Sequence, residues 1–186
     1  MQYVKHSSSI LAAAVLLAGG AVALANELAA TDAPQASVWQ HHQSTFSYLG
    51  ITARYTCDGL EDKVRELLLY FGARKDLKVE ATGCPSPNRP STNVWVSVDF
   101  YSLAAADSTA TDTVPGRWSN IVVAPERPTW MGRGECEVMD QMKGLLTKSF
   151  SMRDMDYRTS CFPHEVTIGD YSIKGEILKS AAGKAG

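Results

Sequence analysis

The sequence predicts an α+β fold in which two tandem β-α-β-β units share one antiparallel or mixed sheet core, stapled by disulfides. Three observations carry this reading: two similar segments bounded by cysteines, an apolar stripe of helical spacing inside each, and alternating strand-like runs around each stripe. The segments run from Cys57 to Cys84 and from Cys136 to Cys161. With one deletion after the first cysteine, Leu60, Val64, Leu67 and Leu68 fall opposite Val138, Met142, Leu145 and Leu146. Residues at this spacing gather on one face of a helix. Asp58 with Glu61 has the form of a capping box, and Gly72 is a natural helix stop.

A strand pattern of period two follows each helix, at 77–81 and at 155–159, and each ends near a cysteine. A proline-containing turn comes next, CPSPNRP in one segment and CFPH in the other. A further strand then places Val94, Val96, Val98 and Phe100 on one face in the first segment, and Tyr171, Ile173, Gly175 and Ile177 in the second. Strands are also expected before the helices, at 46–56 and 118–124. The units are drawn at 43–103 and 117–179, joined by the small, polar linker 104–116. A single helix on so few strands has little core of its own, so the two units are expected to share one.

At the N-terminus Lys5 precedes an apolar run from Ile10 to Ala25 that closes on Ala23-Leu24-Ala25. A charged start, a hydrophobic middle and a small-x-small site describe a cleavable signal peptide, 1–25. The run is shorter than the ~20 residues that span a bilayer, and no basic stop-transfer cluster follows. The expected location is therefore periplasmic or secreted. Residues 26–42 read as a flexible lead-in, with Trp39 able to dock on the domain, and 180–186 as a frayed tail.

The whole chain carries 18 Lys and Arg against 20 Asp and Glu. A mildly acidic chain without a basic block lacks the electrostatic footprint of a nucleic-acid binder. Four cysteines in an exported chain read as two disulfides, and the repeat pairs Cys57 with Cys84 and Cys136 with Cys161. The strands flanking each helix run parallel, so both cysteines of a segment lie at one end of the sheet. Each closed loop is worth ~3 kcal/mol in the loop-entropy account. No two cysteines are close enough in sequence for a zinc knuckle.

No G-x-S-x-G, H-E-x-x-H, phosphate loop or dinucleotide fingerprint occurs, so the residues assign no catalytic role or cofactor, and an enzyme of another type ranks third. The first reading is a binding module of the envelope with a protein partner. Its candidate contact is the loop PERPTWMGRG, where Trp130 lies between Arg127 and Arg133, residue types that anchor interfaces. The second reading is Cu(I) handling by Met152, Met155 and His164, whose thioether and imidazole donors suit a soft ion.

Overall fold

The row Val94, Val96, Val98 and Phe100 is 3% exposed or less and fixes the strand around which half of the sheet forms. The computed structural model describes residues 33–86, 89–161 and 169–181. In chain order these form β1 (Gln35–Leu49), α1 (Cys57–Tyr70), β2 (Lys78–Thr82), β3 (Asn93–Ala105) and β4 (Val114–Val123). A 3₁₀ turn (Arg133–Glu135) then leads into α2 (Cys136–Ser149), β5 (Met152–Thr159) and β6 (Tyr171–Ser180). The six strands make one sheet of order β2-β3-β1-β4-β6-β5 in which every neighbouring pair is antiparallel. The described residues thus form an α+β fold of two α-helices on a single antiparallel sheet, with disulfides Cys57–Cys84 and Cys136–Cys161. Among the described residues no helix is long and apolar enough to cross a membrane.

β1 and β2 both run antiparallel to β3, which lies between them, so they are parallel to each other across an intervening strand. Such strands stand about 10 Å apart. The turns after them therefore bend inward, bringing the Cys57 and Cys84 Cα atoms to 5.9 Å. The same placing of β4 and β5 on either side of β6 accompanies a Cα separation of 5.7 Å for Cys136 and Cys161.

Several local expectations change. The lead-in gives way by Gln35, because 35–42 belong to β1, held by an unbroken register with β3 from Ser37↔Ala105 to Leu49↔Asn93. β1 escapes a hydrophobicity reading because its helix-facing row includes His42 and Ser44 before Phe46 and Tyr48, and its other face is polar. The linker shrinks at both ends, as β3 continues to Ala105 and β4 starts at Val114. Helix α1 is capped by Thr56, whose hydroxyl accepts from Gly59 N at 3.1 Å. Glu61 reaches instead to Ala81 N on β2, at 2.8 Å. Residues 1–32, which hold the expected signal peptide 1–25, and His164 lie outside the described residues; of the expected tail, Ser180 belongs to β6 and 182–186 lie outside them as well.

The core gathers α1's stripe, all four residues fully buried, with Val138, Met139, Met142 and Leu146 of α2. Phe150 joins the two sides, its ring stacked 5.5 Å from Phe100 and tilted 5.8 Å from Phe71. Leu145 departs from its expected place: the buried face of α2 is centred on Met139 and Met142, which turns Leu145 toward β1 and leaves it half-buried. Leu67→Ala should therefore cost ~2–5 kcal/mol in urea unfolding, as for other fully buried leucines. Leu145→Ala should cost clearly less, and equal losses at the two positions would place Leu145 back in the core.

Candidate functional site

Side chains of opposite halves meet around the end of β1. Glu137, in the first turn of α2 and 8% exposed, accepts hydrogen bonds from Ile51 N, Thr52 N and Ala53 N at 2.9 to 3.4 Å. One turn further along α2, Gln141 receives Leu49 N at 3.2 Å and donates to Leu49 O at 3.3 Å. Its side-chain amide thus occupies the position of a neighbouring strand's peptide group.

That pair fixes which backbone groups of β1 face away from β3. Alternate residues of a strand direct N–H and C=O to the same side. Leu49 looks away from β3, while Gly50 N bonds to Thr92 O and Ala36 O accepts from Ala106 N on the β3 side. Trp39, His41, Gln43, Thr45 and Ser47 therefore present their backbone groups to the edge beyond β1. Only 35–37 of that edge pair with β4, at Gly116, Pro115 and Val114. Because the strands are antiparallel, the rest of β4 continues past the opposite end of β1. Among the described residues no strand pairs with the edge from Trp39 to Ser47.

A groove of about 490 Å³ runs along this edge, with β1 from His41 to Phe46 on one side and Gln141, Gly144, Leu145 and Lys148 of α2 on the other. The α2 residues recur at helical spacing and form one face. Gly144 has open space around it: an added Cβ would meet nothing within 4 Å. His42 is held from below, its Nε2 being 3.0 Å from Ser102 Oγ. Since Ser102 gives its one proton to Ser149 O, His42 Nε2 is the donor. Burial and the neighbouring His41 hold the His42 pKa below its ordinary value.

A second hollow, about 610 Å³, lies on the other face of β1, β3 and β2 and is lined by Gln43, Thr45, Lys78, Glu80, Ser97 and Asp99. Several of its polar groups are engaged with one another. Asp99 accepts from Gln43 Nε2 at 2.9 Å and His41 Nε2 at 2.7 Å, which holds its carboxyl below the usual range. The Thr45 and Ser97 hydroxyls lie 3.3 Å apart. The sequence reading left His41 in the lead-in, so its pairing with Asp99 was invisible. Ring packing extends the cluster, with Tyr101 4.8 Å from His41.

The loop residues singled out in the sequence separate. Trp130 is half-buried and packs on the core, edge-on to Tyr70 at 6.1 Å with the Lys63 ammonium 5.0 Å from its ring. Lys63 also donates to Trp130 O at 2.6 Å and pairs with Glu135 at 2.8 Å. Burial pushes the Tyr48 and Tyr55 hydroxyl pKa values upward around this pair, reinforced by Glu137 and Glu135 at Tyr48 and by Glu135 at Tyr55. Arg127 is exposed, and Arg133 is a 73% exposed side chain bridged to Glu126 at 3.2 Å. Met152 and Met155 pack against the core and line one small apolar cavity with Phe71, Leu146, Tyr157 and Ile173. Among the described residues no group of three His, Cys, Asp or Glu side chains is arranged to hold a metal ion.

No protein-family model matches the chain, and neither a curated protein nor a solved structure matches it.

Two outcomes check this geometry. Amide exchange followed by NMR should alternate along β1, with Ser44 and Phe46 slow and Gln43 and Thr45 orders of magnitude faster, because only the first pair donates into β3. Equal protection at all four would mean the edge is closed. Trp130→Ala should lower stability by roughly 2 to 3 kcal/mol, short of the 3–5 of a fully buried tryptophan. An unchanged melting temperature would show that this ring does not close the core.

Proposed function

We propose that the protein is an exported, non-enzymatic binding module that engages a protein partner of the envelope along the groove between the unpaired edge of β1 and α2. The observation that carries this reading is the row of backbone N–H and C=O groups from Trp39 to Ser47. Such groups are obligatory hydrogen-bonding elements, and a strand edge that lacks a neighbour is a template for pairing. The outer hollow is the larger of the two, yet Asp99, Gln43, His41, Thr45 and Ser97 in and beside it already bond to one another, so those side chains offer a ligand less. Two disulfides support export, since such bonds persist in oxidising compartments. The composition of 1–25 supports it independently.

We further propose that the halves descend from one β-α-β-β unit by duplication. Support comes from the equal order of elements and from the places of β2, β3, β1 and β5, β6, β4 in the sheet. The paired cysteines that join the two ends of each half agree with it.

Gly144→Leu tests the groove. It removes a mid-helix glycine that costs about 1 kcal/mol relative to alanine, and it puts a side chain into open space. Purified Gly144→Leu protein should melt no lower than the parent and should lose capture of a partner from envelope extract, while Arg127→Ala with Arg133→Ala retains it. Capture retained by Gly144→Leu and lost by the arginine pair would return the contact to the 125–134 loop. The Cu(I) reading draws on Met152 and Met155 facing one cavity. Stoichiometric Cu(I) binding that disappears in Met152→Leu with Met155→Leu would put metal handling first.

A further inference from the structure

We infer that the groove binds by strand addition, and that its occupant is an extended, acidic peptide segment of another protein. This rests on the groove being the contact surface and adds what fills it. Three features of the groove select the occupant. First, the unpaired groups of His41, Gln43, Thr45 and Ser47 recur at about 6.8 Å, twice the rise of a strand, a spacing that another extended backbone matches. Second, both ends are closed by groups that already act as strand neighbours: Val114 pairs with Ser37 at one end and the Gln141 amide with Leu49 at the other. Third, the lining among the described residues is without a carboxylate and includes the Lys148 ammonium, while His42 stays neutral and His41 is balanced by Asp99. The nearby Glu137 is outside the lining and turned to the 51–53 backbone, whose N–H dipoles offset part of its charge. Half-buried Leu145 and Phe46 offer apolar contact to alternate side chains of the guest.

The inferred complex is one added strand lying between β1 and α2. Its carboxylates face Lys148, and its amides on one side only donate to and accept from β1. Backbone bonding supplies the affinity and the alternate side-chain contacts the selectivity, as in other sheet-edge recognition. A second copy of the chain is the rival occupant. It would have to bring its own β1 edge under α2, and it would show as self-association.

The test uses the mature full-length protein and blocked peptides of alternating glutamate and valine, about seven residues long to match the open edge at ~3.3 Å per residue. A lysine–valine counterpart is compared, together with two copies of the acidic peptide N-methylated at every second amide in opposite phases. The acidic peptide should slow amide exchange at Gln43 and Thr45. One methylated phase should weaken binding at least tenfold while the other leaves it within a few-fold. Lys148→Glu should reverse the preference between the acidic and basic peptides. The inference falls if no peptide binds, if both methylated phases bind like the parent peptide, or if the basic peptide binds as well as the acidic one. It also falls if the free protein forms concentration-dependent dimers that Gly144→Leu abolishes. Loss of envelope capture in Gly144→Leu together with insensitivity to N-methylation would leave the groove as the contact surface and reject strand addition alone.

Discussion

The fold turns on a short junction, three residue pairs between β1 and β4, through which a six-stranded sheet is made continuous. The chain is crowded there. A Cβ on Gly116 would come within 2.2 Å of Ser37 Oγ and 3.1 Å of Leu178, so only glycine lets the two backbones approach. Three pairs are few for holding sheet halves that each contribute to one core, and the helices make up the difference. α2 reaches to the first half through Gln141 on Leu49 and Glu137 on the 51–53 backbone. α1 reaches to the second, where the Tyr70 hydroxyl donates to Val122 O at 3.0 Å and Lys179 donates to Tyr70 O at 2.6 Å. Each central strand thus has its far edge met by a polar side chain from the helix of the other half. This exchange of helices explains why neither half would keep its backbone satisfied alone.

Much of this was legible in the sequence wherever burial writes a period. The stripe of α1 and the faces Val94–Val96–Val98–Phe100 and Tyr171–Ile173–Ile177 are buried as the patterns require. The cysteine pairing could be read because nearly the same offset aligns the helix stripes and the cysteines of the two segments. What failed had no hydrophobic signature. β1 is half polar on the helix side, and its length comes from pairing with β3, a non-local partner that local pattern does not encode. Thr56 was passed over as a cap because Asp58 and Glu61 fit the motif, yet Glu61 serves better on the exposed Ala81 N–H of β2. Val138, Met142 and Leu146 of the α2 stripe are buried as read, but Met139 enters the core as well, which centres the buried face away from Leu145 and turns that residue to the groove. An unpaired strand edge leaves no mark on side-chain chemistry, so the candidate site could be seen only once the register was known.

The way the other edges are treated gives the unpaired one its meaning. A sheet edge invites pairing with another chain unless it is blocked. β2 is five residues long and its outward N–H at Ala81 is taken by Glu61. β5 carries a bulge between Arg153 and Asp156, with Asp154 at φ 54, and Arg153, Asp154, Asp156 and Arg158 along it. Bulges and charges are the ordinary means of making an edge unfit for a partner. β1 has neither device between Trp39 and Ser47. Its register with β3 is regular throughout, and the wall beside it includes Gly144, which has open space around it. Two outer edges of this sheet are shut by identifiable side chains while an inner edge is regular and opens into a groove. The physical asymmetry therefore lies in which edge can accept a strand, and α2, standing beside β1, limits that acceptance to a single extended segment instead of another sheet.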